Sequence, residues 1–414
     1  MKIWSFPGIY PYPEGNDLTT GIFNHKQSVA LKNIGVNVEV VQPWNVAPIW
    51  PINQLFPDWK KYASNTRPDV RTLDGIKINH PKIFTPKPSR VFKKPYEYYL
   101  LNKLEQFFKA KGVNPEKDLI HAQWLIPDGR IAVLLAKRLN LKCVVELNGD
   151  DVIVWPHKSE IHKNHALFVL ENADYIIGCS QYLCDQAEIL FGKKLFSKAI
   201  YKGVNTSHFI PFQESTELIK VRAKYNLHTN DFVILNVGSP IQRKGWLELF
   251  QAVSMLKVDF PQIKILAASG GIQDFKLIDK AREYGVEDNL VDLGQVKNEN
   301  LLELYQLCDV FALPSYWEGL ANVLCEAMSC GCAVVTTAVA GHPEVIENGV
   351  NGFLIAPKDV NALKKSLQNL IENPKLKQDF GQNARQTALN KIQSHEANAQ
   401  KLQKLFQGVL TEHI

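Results

Sequence analysis

Apolar and polar positions follow two rhythms along this chain. Short apolar runs bounded by turn residues predict strands, and apolar residues recurring every three or four positions predict helices. Lys2–Phe6 reads as a strand that stops at Pro7. A loop rich in Pro, Gly, Tyr and Asn runs to Thr20, followed by a helix over Gly21–Leu31 and a strand over Val36–Val41. Residues 44–95 break the rhythm: prolines, aromatic rings and basic residues crowd together, which predicts an irregular insertion. The alternation resumes with helices over Glu97–Lys111 and Arg130–Arg138 and strands over Leu119–Trp124, Cys143–Leu147 and Lys198–Tyr201, with one more strand inside Asn172–Ser180. It restarts at Phe232–Val237 with a loop and a helix over Trp246–Leu256. Further strands are expected at Ile263–Ala268, Leu290–Leu293, Val310–Leu313, Ala333–Thr336 and Phe353–Ile355, and a last helix at Ser394–Leu410.

Two such series, each opening strand, loop, helix, predict an α/β protein with two Rossmann-like, doubly wound domains. The joint falls near Val204–Gln213, giving domains over 1–205 and 206–390 and a separate C-terminal helix over 391–414. A chain of 414 residues is too long for one core, which agrees with that division.

Composition narrows the class. With 45% hydrophobic and 21% charged residues the chain reads as an ordinary soluble globular protein. No run reaches the roughly 18 apolar residues of a membrane span. A first strand broken at Pro7 does not read as a signal peptide, so a cytoplasmic location is expected. Seven cysteines without a Cys-x-x-Cys pair read as reduced, buried thiols, so neither a metal site nor a disulfide frame is expected. The net charge of +5 is mild and gives no reason to expect a nucleic-acid partner. The charge is uneven, however: Trp50, Trp59, Lys60, Lys61, Arg67, Arg71, Lys82, Lys93 and Lys94 all fall in the insertion. Basic residues among aromatic rings suit the anionic inner face of a membrane or a lipid-linked acceptor, and they equally suit a solvated loop with a few packed rings.

Candidate chemistry gathers in the second half. Pro314 ends the strand Val310–Leu313, a polar turn carries Glu318, and Glu326 follows eight residues later inside an apolar helix. A carboxylate among Val323, Leu324, Ala327 and Met328 needs a polar partner, although a solvated face remains the alternative reading of the pair. Gly238–Gly245 is the second informative stretch. Arg243 and Lys244 stand beside a helix N-terminus, where backbone amides, the helix dipole and two cations together suit a diphosphate. In the first half, Gly21 opens a helix and is either an anion-approach glycine or a plain turn glycine. Asn148-Gly-Asp-Asp151 is a polar cluster at a strand's carboxyl end, where open α/β sheets bind ligands. Cations for a diphosphate and carboxylates for vicinal hydroxyls suggest an enzyme acting on a nucleotide sugar.

In these motifs the chain resembles the GT-B-fold retaining glycosyltransferases of family 4, most strongly from Asn236 to Ala356. The resemblance rests on Glu318 and Glu326 in their Glu-x7-Glu spacing, on Gly341-His-Pro-Glu-Val-Ile346 and on Asn351-Gly-Phe-Leu354. Thr20-Gly-Ile-Phe23, Trp124-Leu-Ile-Pro-Asp-Gly129 and Asp150-Asp-Val-Ile-Val-Trp-Pro156 look like the branch that builds cell-surface polysaccharides of the teichuronic acid type. The resemblance implies two domains facing across a cleft, with the C-terminal helix returning to the first. It implies retaining, metal-independent transfer from a nucleoside diphosphate sugar, read as UDP-linked, to a saccharide or lipid-linked saccharide.

Residue by residue, it places Glu326 on the ribose, Glu318 on the donor sugar and Lys244 with Arg243 on the diphosphate. Leu320, Ala321 and Asn322 would reach the phosphates or sugar, Val296 would read the base, and Gly21 would lie beside the phosphates. Two positions depart from the family pattern: Ser239 stands where many relatives carry arginine, and Asn148 where many carry a histidine near the reacting carbon. At Asn148 the contact would be positioning, or the work would pass to Asp150 or Asp151. A sugar-nucleotide epimerase, a glycan phosphorylase or an inactive nucleotide-sugar-binding member are the alternatives on the same scaffold.

Overall fold

The computed structural model describes residues 1–12, 20–46, 68–84, 93–212, 215–270 and 275–412. The chain forms two compact units. The first comprises Met1–Cys179, Leu183–Ile200 and Glu396–Ile414, and the second Ser180–Tyr182 and Tyr201–His395.

The described strands of the first unit are β1 (Lys2–Phe6), β2 (Asn37–Val41), β3 (Trp44–Val46), β4 (Val70–Leu73), β5 (Ile76–Asn79), β6 (Lys82–Phe84), β7 (Asp118–Ala122), β8 (Lys142–Leu147), β9 (Tyr175–Gly178) and β10 (Ser197–Ala199). Eight of them form one sheet in the order β10-β9-β8-β7-β1-β2-β5-β4, parallel throughout except for β4 at the edge. The central strands are fully buried because helices cover both faces, so they read as continuous apolar runs. Ile3, Val38, Leu119, Val144 and Ile177 pack against Ala399, Leu402, Phe406 and Val409 of the last helix, His395–Thr411. That helix therefore closes the core of the first unit although it ends the chain.

The expectation of an irregular insertion over 44–95 needs correction. β4 and β5 form a hairpin that extends the main sheet, and β3 pairs with β6. The turn is Asp74-Gly75, with φ of 47° and 72°, the left-handed pair that a tight hairpin requires. Alternation through Ile76-Lys77-Ile78-Asn79 carries the strand signal. Two of the basic residues are tied into the fold: Arg71 is buried and donates to His80 and to the carbonyl of Pro11, and Lys82 pairs with Asp69 at 2.7 Å. Trp50, Trp59, Lys60, Lys61 and Arg67 lie outside the described residues, as do the side chains of Lys93 and Lys94.

The second unit contains β11 (Phe232–Val237), β12 (Ile263–Ala268), β13 (Leu290–Asp292), β14 (Val310–Leu313), β15 (Ala333–Thr337) and β16 (Phe353–Ile355). The order is β13-β12-β11-β14-β15-β16, with every pair parallel. Alternate residues of β11 serve two cores: Val233 and Leu235 face one helical layer, Phe232 and Ile234 the other. The chain leaves the sheet's middle in opposite directions from β11 and β14. The crevice at their carboxyl ends is the topological switch point where such sheets bind ligands.

Candidate functional site

Lys244 follows β11 and Glu318 follows β14, so the switch point brings them together. Lys244 Nζ donates to Glu318 Oε1, and Arg243 NH1 lies 3.5 Å from Glu318 Oε2. The hydroxyl of Ser315 donates to the same Oε1 at 3.0 Å. Burial disfavours the Glu318 carboxylate, but Lys244 and then Arg243 outweigh it and hold its pKa below the usual range. The Arg243 guanidinium also lies 4.4 Å from the centre of the Trp317 ring.

Backbone geometry fixes this meeting. Gly245 adopts φ +71°, and a Cβ there would come within 2.1 Å of the Pro314 carbonyl oxygen. Only glycine lets the loop after β11 approach the end of β14 so closely. Tyr316 N–H then donates to the Arg243 carbonyl at 2.7 Å, and the Tyr316 hydroxyl to Glu248 at 2.6 Å. Ser239 contributes its carbonyl, which accepts from the Trp246 indole at 3.2 Å.

Glu326 sits deeper, on the helix Asn322–Ser329. It is 5% exposed, and its two oxygens accept from Tyr305 Oη at 3.0 Å and Asn298 Nδ2 at 3.2 Å. These are the polar partners that a carboxylate in an apolar helix requires. Asn298 lies two residues beyond Val296, so the loop after β13 is tied to Glu326. Leu320 and Ala321 lead into the helix that starts at Asn322, and no side chain caps that helix. Gly341 N–H donates to the Gly319 carbonyl at 2.7 Å, which brings the Gly341–Ile346 segment against this turn.

His342 received no role from the sequence. It is fully buried, and Nδ1 lies 3.2 Å from the Thr337 carbonyl, which can only accept. Nδ1 is therefore the protonated nitrogen, and Nε2 has no hydrogen-bond partner among the described residues. Burial pushes the imidazole pKa down to about 4, against a smaller favourable pull from Glu318.

The remaining candidates belong to the first unit. Gly21 has φ +71°, and a Cβ there would meet the Ile9 carbonyl at 2.4 Å, which accounts for glycine on steric grounds. Asn148 Nδ2 donates to the Gln123 carbonyl at 2.6 Å. Asp151 accepts from the backbone N–H groups of Leu125, Asn148 and Gly149 at 2.8–3.0 Å. Its carboxylate is thus committed to holding the loops after β7 and β8, and burial raises its pKa to about 6. Asp150 begins the short helix Asp150–Ile153. No cluster of three or more His, Cys, Asp or Glu side chains that could hold a metal ion occurs among the described residues. No helix among them is long and apolar enough to cross a membrane.

Two parallel Rossmann-like sheets with a cationic switch-point site define the GT-B fold of glycosyltransferases. Solved structures agree on that fold. A sucrose-phosphate synthase from Thermosynechococcus elongatus superposes with a TM-score of 0.77 at 22% identity, covering 100% of both chains. Anabaena HepE in complex with UDP-glucose gives a TM-score of 0.74 at 19% identity, over 99% of this chain and 100% of that one. Residues 219–387 match the family described as glycosyl transferases group 1, and they constitute a domain of that family. A provisionally assigned teichuronic acid biosynthesis glycosyltransferase, TuaC of Bacillus subtilis (strain 168), is 25% identical over 89% of this chain and 88% of its own length. N-acetyl-alpha-D-glucosaminyl L-malate synthase of Bacillus anthracis is 23% identical over 74% and 78%. The matched region and these relatives support glycosyltransferase activity as the broad class.

Proposed function

We propose that this protein is a retaining glycosyltransferase of family 4 that moves a sugar from a UDP-sugar to a saccharide or lipid-linked saccharide acceptor in surface polysaccharide biosynthesis, working at the cytoplasmic face of the membrane. The observation that carries the reading is the joining of Lys244, Arg243 and Glu318 at the β11/β14 switch point. Before a donor binds, Glu318 offsets part of the positive charge of Lys244 and Arg243. A bound diphosphate takes over Lys244 and Arg243, and Glu318 turns to the hydroxyls of the sugar. Cations fixed beside the leaving phosphate stabilise the charge that develops as the glycosidic bond breaks. The acceptor hydroxyl adds on the face the phosphate leaves, and a phosphate oxygen receives its proton. Glu326, already oriented by Tyr305 and Asn298, receives the ribose hydroxyls. Lys244 and Arg243 supply the charge that a metal ion supplies elsewhere, so turnover is expected to persist in EDTA.

The relatives support the direction of this reading: one is named for teichuronic acid biosynthesis, and one solved neighbour holds UDP-glucose. The test is incubation with a panel of UDP-, GDP- and ADP-sugars and simple glycosides, followed by proton NMR of the product anomer. Transfer from a UDP-sugar with retained configuration supports the proposal. Inverted product, or isomerisation of the donor without an acceptor, contradicts it.

A further inference from the structure

We infer that Cys308 and Cys332 form a reversible disulfide when the protein meets a peroxide, and that this bond disturbs the hold of Tyr305 on Glu326. The disulfide stands on the placement of the two thiols. Its effect on ligand binding rests on the reading of Glu326 as the ribose carboxylate. Cys308 ends the helix Leu301–Leu307 and precedes β14, and Cys332 precedes β15. The two strands are parallel neighbours with Val310 opposite Ala333, so both cysteines enter the sheet at the same end. Their sulfurs lie 3.8 Å apart, in contact and unbonded. A disulfide needs about 2.05 Å, a closure within reach of rotation about the two Cα–Cβ bonds. Cys308 is partly exposed, which admits a small oxidant, and Cys332 is buried beside it.

Both thiols serve one backbone oxygen. The Tyr305 carbonyl lies in the last turn of its helix, where carbonyls must be met from outside the helix. The N–H four residues on, that of Asp309, donates instead to the Val233 carbonyl at 2.8 Å. Cys332 Sγ lies 3.2 Å from the Tyr305 carbonyl oxygen and Cys308 Sγ 3.4 Å. The hydroxyl of the same tyrosine donates to Glu326 Oε2 at 3.0 Å. Oxidation removes both thiol protons, so the carbonyl loses these donors and the turn that carries Tyr305 shifts against Glu326. In the chemistry, one thiol sulfur takes an oxygen from hydrogen peroxide, giving a sulfenic acid and water. The second sulfur then attacks the first, the S–O bond breaks, and hydroxide leaves as water with the second thiol's proton. The two thiols lose two electrons and the peroxide gains them, and a dithiol reductant reverses the bond. In the reduced state the bond to Cys332 and burial keep the Cys308 thiol protonated, with the nearby Arg222 guanidinium pulling the other way.

Treating the full chain with excess hydrogen peroxide tests this. Digestion without reductant and tandem mass spectrometry locate the cross-link, and calorimetry follows UDP binding before oxidation, after it and after dithiothreitol. A Cys308–Cys332 cross-link is expected, with UDP affinity about tenfold weaker, the worth of one hydrogen bond, and recovery on reduction. Cys330→Ser is expected to keep the cross-link. Cys308→Ser, which retains a hydroxyl donor for the Tyr305 carbonyl, is expected to bind UDP as the reduced parent does and to lose nothing in peroxide. Absence of a cross-link, or one formed to Cys330, overturns the disulfide. A cross-link that leaves UDP affinity unchanged, or an equal loss in Cys308→Ser, overturns its coupling to Glu326. Failure of the reduced parent to bind UDP counts instead against the transferase reading, and the cross-link still decides the disulfide.

Discussion

Lys244 and Glu318 are 74 residues apart in sequence and share a hydrogen bond at the switch point of the second sheet. The contact offsets part of the positive charge of Lys244 and Arg243, so a diphosphate must compete with Glu318 for them. Glu318→Gln removes that competition. UDP alone is expected to bind about tenfold more tightly, about 1.4 kcal/mol, while sugar transfer falls at least a hundredfold. Calorimetric titration of UDP and a transfer assay measure the two effects, and weaker UDP binding by the glutamine variant would contradict the competition.

Gly245 controls the same contact from the backbone. Gly245→Ala places a Cβ against the Pro314 carbonyl at a left-handed φ. The loop must withdraw, taking Arg243 and Lys244 with it. A loss of about 1–3 kcal/mol in stability is expected from the strained backbone, together with weaker UDP binding. Urea unfolding and UDP titration read the two effects, and parental values in both would show that the close approach is dispensable.

His342 gives the second unit a pH dependence. The unfolded chain takes up its proton near pH 6.5, the folded chain only near pH 4. Between these values the unfolded state binds more protons, so stability falls as pH drops from 6.5 to 4. The full difference is about 3 kcal/mol. Asp151 and Asp128 act in the opposite sense: raised to about 6 and about 7, they lose stability as pH climbs from 3.8 through those values. The contribution of His342 is isolated by comparing urea midpoints of the parent and His342→Gln at pH 7 and pH 4.5. The glutamine variant should lose less on acidification, and equal losses would exclude the histidine as the source.

Phe406 lies at the centre of the contact between the last helix and the first sheet, fully buried and 5.1 Å from the His121 ring. Phe406→Ala is expected to cost about 3–5 kcal/mol, through the cavity it opens beside Leu119 and Val144. Denaturant unfolding measures it, and a cost below about 1 kcal/mol would mean the helix is only loosely attached.

Much of the second unit was legible because fully buried parallel strands are continuous apolar runs. Phe232–Val237, Ile263–Ala268 and Val310–Leu313 stand where that pattern puts them. The hairpin at Asp74-Gly75 was obscured because its short alternating strands are set among prolines and basic residues that dominate the composition there. The helix Glu160–Asn172 is legible in the sequence only at its end near Asn172, because its apolar face is narrow, with only Ala166, Val169 and Leu170 buried. Glu318, Lys244 and Glu326 announced themselves by residue type and spacing. That Lys244 pairs with Glu318, and Glu326 with Tyr305, depends on strand order, which no local pattern encodes. His342 was visible only as part of a motif, since an orphaned ring nitrogen is defined by what surrounds it.

The central claim is that Lys244 and its neighbours form the diphosphate site of a nucleotide-sugar donor. Calorimetric titration of UDP into the parent protein and into Lys244→Met tests it most directly. The account predicts measurable binding by the parent and a loss of about 2–3 kcal/mol, roughly 30- to 150-fold, in the variant, as for a charge-assisted contact to phosphate. Equal affinity of the two proteins for UDP would contradict it.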